Sequence, residues 1–432
     1  MSEPSPDSPF VALRSRNFRL LWTGQLVSTA GSMMQSAAIL WHVSLLVRPE
    51  QRGLALGMVG LVRVLPIVVF SLVAGVVADA RDRRRLMFLT QGGMALSATI
   101  LAAYTFAGGR ALWPIYVLAA CGSAFAAFDG PARQSLIPNL VPREHLPNAI
   151  GLNTMMFQAA SVLGPSIGGL VIASLGIGWA YALNAVSFLW VIGALLAMRG
   201  VVSRAEGQGG SIGLAAAREG LRFVFRAPLI RSTMLLDFFA TFFASASALL
   251  PIFAQDILHV GVHGYGLLSA APSIGAILAS VVMVRVVDRI ERRGAALLWV
   301  IAGYGLATVA FGLSRSFLLT FACLALTGAT DAVSTVIRNL VRQLATPDYL
   351  RGRMTSVNMV FFMGGPQLGE LEAGLVASVW GAPISVVTGG LGCLIALGWV
   401  ALRTPELRRY RRSTAAIADA AAETARAAGP AA

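Results

Sequence analysis

Long apolar stretches separated by short polar segments run along almost the whole 432-residue chain. Each is about as long as the roughly 20 apolar residues with which an α-helix crosses a bilayer. The pattern therefore predicts an all-α membrane protein with twelve transmembrane helices. The predicted spans are 18–46, 54–78, 86–107, 112–133, 150–175, 179–198, 230–255, 264–287, 295–313, 317–338, 354–379 and 382–402.

A polar, glycine-rich stretch at 200–228 interrupts this pattern after the sixth span. Arg218, Arg222 and Arg226 recur there at helical spacing, which predicts an interfacial helix over 211–226 with its arginines toward anionic lipid; a plain linker is the alternative. The chain thus divides into an N-terminal segment (1–17), two six-helix halves (18–199 and 229–403), the linker between them (200–228) and a disordered tail (404–432).

Composition excludes a soluble protein, because only 12% of the residues are charged and 56% are hydrophobic, whereas soluble domains are about 25% charged. The net charge of +14 comes entirely from arginines, since the chain has no lysine. These arginines cluster at the ends of apolar runs and form no patch interleaved with aromatic residues. We therefore expect the lipid bilayer, and no nucleic acid, as the partner.

The arginines also predict the orientation in the membrane. The N-terminus, the C-terminal tail and the loops on their side carry 29 of them, whereas the opposite side has only Arg48, Arg52, Arg110 and Arg315, and Arg63 falls inside a span. Because cytoplasmic loops are enriched in arginine and lysine, both termini are expected in the cytoplasm of a multi-pass inner-membrane protein.

The two halves share landmarks at nearly constant offsets, which predicts an internal repeat. At offset 209, Asp79 and Arg83 pair with Asp288 and Arg292. At offset 205, Arg133, Pro142, Asn153, Gly169 and Gly176 pair with Arg338, Pro347, Asn358, Gly374 and Gly381. Both halves begin on the same side, so the repeats are parallel, as in transporters that bind their substrate between the halves.

Between spans 2 and 3 the chain reads Gly-Val-Val-Ala-Asp-Ala-Arg-Asp-Arg-Arg-Arg from Gly75. This segment resembles the cytoplasmic loop signature of the major facilitator superfamily, although Asp82 replaces the third glycine. The resemblance implies that Gly75, Asp79, Arg83 and Arg84 control conformational exchange. Arg83 is expected to pair with an acid such as Asp129 at the end of span 4.

Span 5 carries a second signature, which resembles the antiporter motif of drug exporters in the same superfamily. Its positions are Gly151, Ala160, Gly164, Pro165, Gly168 and Gly169, with alanine at 160 in place of a glycine. Small residues let two helix backbones approach closely, so a generic packing face is the alternative interpretation.

The resemblance covers nearly the whole chain, and three segments look like the branch that holds enterobactin exporters and macrolide efflux proteins. The segments that carry it are Phe128-Asp-Gly-Pro-Ala-Arg-Gln, Leu344-Ala-Thr-Pro-Asp-Tyr-Leu-Arg-Gly-Arg and Leu368-Gly-Glu-Leu-Glu-Ala-Gly. One departure is that residues 116–128 lack the arginine that many proton-coupled members carry in span 4.

Charged residues inside spans are costly, and they mark functional sites. Asp237, Glu370 and Glu372 are the candidates for coupling transport to protons. Arg63 is expected to form a salt bridge with either glutamate, because all three lie at similar depth. Asp129 and Asp331 lie nearer the span ends, where a structural role is as plausible. The candidates for lining a substrate cavity are Gln25, Gln35, Phe238 and Phe242.

The cysteines and histidines show no ligand spacing, and we find no triad, phosphate loop or metal cluster. We therefore expect no enzyme activity, no cofactor and no ATP site. The predicted function is that of a monomeric secondary transporter that exports an amphipathic small molecule, a drug or a siderophore-like compound, against an inward flow of protons by alternating access. A facilitator or importer of the same fold is the first alternative, and a non-transporting membrane receptor or assembly factor is the second.

Overall fold

Twelve long helices follow one another in the computed structural model, which describes residues 10–80, 82–199, 222, 224–225, 227–346 and 351–411. They are α1 (Arg16–Leu46), α2 (Arg52–Ala80), α3 (Arg83–Phe106), α4 (Leu112–Leu136), α5 (Leu146–Ser174), α6 (Ile177–Ala197), α7 (Pro228–Phe243), α8 (Gly261–Val286), α9 (Arg293–Leu313), α10 (Phe317–Ala345), α11 (Arg351–Trp380) and α12 (Ala382–Arg403). A short helix, α13 (Pro405–Arg409), follows, and these ranges contain no strand. Eleven of the twelve coincide with a predicted span, and α7 covers the first part of the seventh span.

Ten helical stretches within the described ranges are long and apolar enough to cross a membrane. The two long helices outside that set are α1 and α11, and both carry polar residues in the middle of their apolar stretches. Gln25, Gln35 and His42 lie in α1, and Glu370 and Glu372 lie in α11. The all-α membrane architecture is confirmed, and the less apolar helices are those that carry several of the candidate functional residues.

The seventh predicted span, 230–255, is not one continuous helix. The helix α7 ends at Phe243 and the chain continues through a 3₁₀ turn (Ala246–Leu249), one α-turn (Leu250–Ile252) and a π-turn (Phe253–Ile257). Pro251 has no N–H to donate and lies in the first turn of the short α-turn, a position that proline favours. The broken part of this span lies at its arginine-poor end.

Two helices run further than predicted, and this changes the status of three arginines. Because α4 ends at Leu136 and α10 at Ala345, Arg133, Arg338 and Arg342 lie within helices and not in loops. Arg338 and Arg342 are buried, at 1% and 3% exposure. They are therefore structural charges of the protein interior, and the prediction that counted them among the loop arginines was wrong.

The twelve helices form two bundles that contact each other along two seams. In the first, α1 packs against α5 and α6, α3 against α4 and α6, and α2 against α4. In the second, α8 packs against α10, α9 against α10 and α12, and α7 against α11 and α12. The seams between the bundles are α2 with α11 and α5 with α8.

Glycine pairs form both seams and reproduce the offsets found in the sequence. A Cβ atom built on Gly374 would lie 2.5 Å from the Cα of Gly57, and one built on Gly266 would lie 2.9 Å from the Cα of Gly169. Gly57 and Gly266 are 209 residues apart, and Gly169 and Gly374 are 205 apart. The two seams are thus equivalent contacts of a repeated unit.

Part of the predicted interfacial helix over 211–226 lies outside the described residues, including Arg218 and Arg226. Arg222 is exposed, and Val224 is buried in a small apolar cluster with Ile230, Met234 and Met354. This contact holds the end of the linker against α7 and α11.

Candidate functional site between the two halves

A polar latch joins the halves at the arginine-poor end of the molecule. The Nη1 of Arg52, at the start of α2, lies 2.7 Å from both carboxylate oxygens of Asp256 in the π-turn. The Nε of Arg52 donates to the Ser44 carbonyl at 3.0 Å, and the Gln255 amide donates to the Ser44 hydroxyl at 2.7 Å. Side chains of both halves therefore hold this end shut.

Below the latch, one apolar cluster contains residues of both halves and fills the space between them. Tyr265 of α8 donates its hydroxyl to the Ala37 carbonyl of α1 at 2.9 Å and stacks on Trp41 at 5.1 Å. Phe253 packs on Phe311 at 4.5 Å within the same cluster. We call the latch and this cluster together the closure.

Arg63 and Glu370 lie where α2 meets α11, but they form no ion pair. A Cβ built on Gly60 would lie 3.2 Å from Glu370 Oε2, and Glu370 Oε1 accepts from the Ser247 hydroxyl at 3.4 Å. The carboxyl group thus sits between α2 and the broken seventh span, so the predicted salt bridge from Arg63 to Glu370 or Glu372 is not formed. Among the described residues no carboxylate lies within 4 Å of Arg63.

Three oxygen atoms of α11 are buried without a hydrogen-bond partner among the described residues. They belong to Gln367, Glu370 and Glu372. Glu372 lies about 200° around the helix from Glu370, so the two glutamates cannot face the same seam. In this conformation, in which the Arg52 end is closed, the middle of α11 therefore has three acceptor oxygens without a described donor.

A cluster of buried charges fills the interior of the second half. Asp237 of α7 lies 2.8 Å from Nη1 of Arg338 and 3.8 Å from Nη1 of Arg342, both on α10. Asp331, at 46% side-chain exposure, lies 3.5 Å from Nη2 of Arg338. Arg342 also donates to Asn339 at 2.7 Å and to Asn358 of α11. Two carboxylates balance two guanidinium groups, so Asp237 is a member of a neutral ion cluster.

The first half holds its corresponding arginine with a neutral group. Arg133 of α4 donates to the side-chain oxygen of Gln25 on α1 at 2.7 Å. Asp129 accepts from Thr90 at 3.0 Å and from Gln91 at 2.9 Å, which ties α4 to α3. Asp129 thus has the structural role that its position near the span end made plausible, with α3 residues as its partners.

At the loop signature, the structure describes some residues and leaves others out. Of Gly75 and Asp79 the structure describes only the helical backbone, at the end of α2. Asp82 caps α3 by accepting from the backbone N–H groups of Arg84 and Arg85 at 2.9 and 3.1 Å, which explains an acid at that position. Arg83 donates to the Ser135 carbonyl at the end of α4 at 3.0 Å.

The antiporter-like motif lies on two packing faces of α5. A Cβ on Gly164 would lie 2.6 Å from the Ala30 carbonyl of α1, and Gly168 faces Met34 of α1. Gly169, and the carbonyl of Pro165, contact Gly266 of α8. Ala160 is fully buried, whereas Gly151 is exposed with nothing within 4 Å of a built Cβ. The motif therefore serves close packing within the half and across the seam.

The four cavity candidates have different environments. Gln25 is committed to Arg133, and the oxygen of Gln35 accepts from the Asn184 amide at 2.8 Å. Phe238 stacks on Phe242 at 5.5 Å, and Phe238 lies near Gly365 of α11. The two glutamines are therefore hydrogen-bonded within the first half, and the two phenylalanines pack within the second half.

Sequence reasoning missed four residues that the structure brings into pairs: Arg52 with Asp256, and Arg338 and Arg342 with Asp237. A signal for the first pair was present, since Arg52 is one of only four arginines predicted on its side. The second pair was hidden because both arginines were assigned to a loop.

Solved structures of transporters share this fold. A bacterial homologue of the human lysosomal transporter Spinster, solved inward-facing and unoccupied, aligns with a TM-score of 0.70 at 16% identity, covering 94% of this chain and 99% of that one. A POT family transporter in complex with 5-aminolevulinic acid aligns with a TM-score of 0.72 at 10% identity, covering 91% and 97%. The chain thus shares its overall fold with these two transporters.

A comparison of the amino-acid sequence with known families gives the same class of protein. Residues 7–425 match the family described as transmembrane secretion effector, and the chain belongs to that family. It is a multi-pass membrane transporter of the major facilitator type. The enterobactin exporters EntS of Escherichia coli O1:K1 / APEC and of Shigella boydii serotype 18 are each 28% identical to it over 342 residues, 79% of this chain and 81% of each relative.

Proposed function

We propose that this protein exports an amphipathic small molecule across a bacterial inner membrane in exchange for protons. The observation that carries the proposal is the closure at one end of the interface between the halves, with Arg63 and Glu370 at the seam beside it. An exporter in this state receives its substrate from the side opposite the closure. The 28% identity to enterobactin exporters favours a compound of siderophore-like size and polarity.

The arginine-rich end is assigned to the cytoplasm. Leaving Arg133, Arg338 and Arg342, which pair inside the bundles, out of the count still leaves 26 arginines on that side against four on the other. The positive-inside rule then places both termini in the cytoplasm. In this orientation the closure faces outward.

Export proceeds by alternating access between two rigid halves, residues 18–199 and 229–403. The glycine pairs at the two seams allow one half to rock against the other, since small residues keep the backbones in contact without interlocking side chains. The latch between Arg52 and Asp256 breaks when the outer end opens. The loop residues Gly75, Asp79, Arg83 and Arg84 act at the opposite end, where the cytoplasmic entrance closes.

Glu370 is the best of the three candidate proton carriers. Asp237 is balanced by two arginines, so protonating it would leave a buried positive charge. Glu372 lies on another face of α11. Glu370 lies at a seam that must change during the cycle, has a single hydroxyl donor at 3.4 Å, and has no cation within 4 Å among the described residues.

Transport assays test both the direction and the coupling. Expression in an efflux-deficient bacterial host with a panel of drugs and siderophores identifies a substrate, whose cellular level should rise when a protonophore is added. A fall would indicate an importer, and no change would indicate a facilitator. No transport of any compound by correctly inserted protein would favour the receptor alternative.

The proton carrier is then tested in proteoliposomes. Glu370→Gln should abolish uphill export and leave downhill exchange intact. Glu144→Gln is the matched control, because Glu144 is an exposed loop carboxylate at 77% side-chain exposure. Uphill export by Glu370→Gln at the rate of this control would reject Glu370 as the carrier.

A further inference from the structure

Arg63 is a charged residue of the membrane interior without a hydrogen-bond or ion-pair partner among the described residues. It is half-buried, eleven residues into α2, or about 16 Å along the helix axis. No ion pair or hydrogen bond joins its side chain to another described residue. An arginine at such depth is costly unless something compensates its charge, and the part of the chain that the structure describes supplies no such group within ion-pair distance.

The surroundings of Arg63 come from both halves of the molecule. Arg63 lies on α2 of the first half, three residues after Gly60, where a built Cβ would lie 3.2 Å from Glu370 Oε2 of α11 in the second half. It also follows the buried residues Leu56 and Val59 by seven and four positions, so it lies on the helix face that they turn toward the apolar cluster between the halves. The guanidinium group therefore has unused donors at the interface of the two halves.

Glu370 does not supply the missing acceptor. Its carboxyl group is placed by Gly60 and Ser247, and it comes no closer than 4 Å to Arg63. The donors of Arg63 therefore stay unused, and Glu370 is a nearby competing charge for any anion that binds them.

We propose that Arg63 binds an anionic oxygen group, such as a carboxylate, sulfonate or phosphate, of an aromatic or amphipathic substrate. A guanidinium group presents its donors in a planar fork that matches such groups in two parallel hydrogen bonds. This inference rests on the proposed function only in treating the ligand as the transported compound, and it makes the preferred substrates anionic amphiphiles.

Binding measurements on the full-length protein in phosphatidylcholine nanodiscs test the site without transport. The probes are three naphthalenes of similar shape and different charge: naphthalene-2-sulfonate, 2-naphthalenemethanol and 2-naphthylmethylammonium. Radiolabelled probe is measured by equilibrium dialysis against empty nanodiscs. The sulfonate should bind about tenfold or more tightly than the other two, which is the order of a charge-assisted hydrogen bond. Equal binding of all three would overturn the proposal.

Variants separate a binding role from a structural one. Arg63→Gln should lose the preference for sulfonate, Arg63→Lys should keep part of it, and Arg315→Gln, the same change in an exposed loop at the closed end, should keep all of it. Glu370→Gln should tighten sulfonate binding by removing the competing charge. If Arg63→Gln does not fold, the affinities of Arg63→Lys, Arg315→Gln and Glu370→Gln for the sulfonate still test the proposal. Unchanged sulfonate affinity in both Arg63→Lys and Glu370→Gln would overturn the proposal.

A lipid headgroup is the other source of an anion. Adding phosphatidylglycerol to the nanodiscs should leave sulfonate affinity within about twofold, once binding to empty discs is subtracted. Strong competition by the lipid in wild type but not in Arg63→Lys would assign the arginine to a headgroup and overturn its role in substrate binding. A failed export assay would reject the proposed function without contradicting a preference of Arg63 for anions. An absent preference would reject the anion site without contradicting export of neutral or cationic compounds.

Discussion

The two halves place an arginine at the same position and compensate it differently. Arg133 and Arg338 are each the twenty-second residue of their helices, α4 and α10. Each contacts the tenth residue of the first helix of its half, which is Gln25 in α1 and Asp237 in α7. One arginine thus has a neutral amide as its acceptor and the other has a carboxylate.

Burial explains the difference. Arg338 is 1% exposed, whereas Arg133 is only partly buried and keeps contact with solvent. The second half also has Arg342 one turn further on, where the first half has the apolar Ile137. A single arginine near water needs only a hydrogen-bond acceptor, but two buried arginines need negative charge. The repeat therefore conserves geometry and adjusts charge to the local environment.

Removing the carboxylate of the second half should have the largest effect. Asp237→Asn leaves the cluster with a net buried positive charge, and we expect about 3–5 kcal/mol of lost stability, seen as a lower melting temperature and a lower yield of folded protein. Gln25→Ala, the equivalent change in the first half, should cost about 1–3 kcal/mol. Equal losses for the two variants would contradict the explanation by burial.

Converting the second half to the pattern of the first should restore much of that loss. Asp237→Gln combined with Arg342→Ile copies the residues found at Gln25 and Ile137, and leaves Arg338 with Asp331 as its charge partner. The double variant should melt above Asp237→Gln alone. If adding Arg342→Ile lowers the melting temperature further, the two arginines are not what demands the carboxylate.

The glycine seams provide a comparison with an intermediate effect. Gly266→Val places side-chain atoms against the backbone of Gly169, as Gly57→Val does against Gly374. Both variants should weaken the closed-end state and increase labelling of cysteines introduced at that end by a membrane-impermeant maleimide. Gly398→Val, on α12 with nothing within 4 Å of a built Cβ, is the control. Labelling of both seam variants at the control level would count against equivalent seams.

The latch should contribute least to stability. Asp256 is 43% exposed, and such pairs are worth about 1 kcal/mol or less. Arg52→Gln should therefore barely change the melting temperature, while it increases access to the closed end. If Arg52→Gln lowered the melting temperature as much as Asp237→Asn does, the exposed latch and the buried charge cluster would contribute equally to stability. That result would contradict the argument from exposure.

The sequence predicts the fold well and the site only in part. Apolar run lengths place all twelve helices, and the offsets of 205 and 209 anticipate that Gly57–Gly374 and Gly169–Gly266 are equivalent. The partners of charged residues are not predictable in this way, because they depend on helix ends and rotations. A seven-residue extension of α10 moves Arg338 and Arg342 from a loop to the core, and the carboxyl group of Glu370 is placed beside Ser247 instead of Arg63.

Distances between the halves at both ends of the molecule test the central claim, which is that the halves move as rigid bodies about the two seams. Spin labels at Arg110 and Ser316 report on the closed end, and labels at Glu144 and Arg289 report on the opposite end, all four positions being exposed. The three native cysteines are first replaced. A pair within one half, Arg110 and Glu144, is the control.

Double electron–electron resonance measures these distances in Gly266→Val and in the wild-type protein, both in nanodiscs. The account predicts that the variant lengthens the Arg110–Ser316 distance, shortens the Glu144–Arg289 distance and leaves the control pair unchanged. A change at one end only, or a change of the same sign at both ends, would contradict rigid-body exchange between the halves.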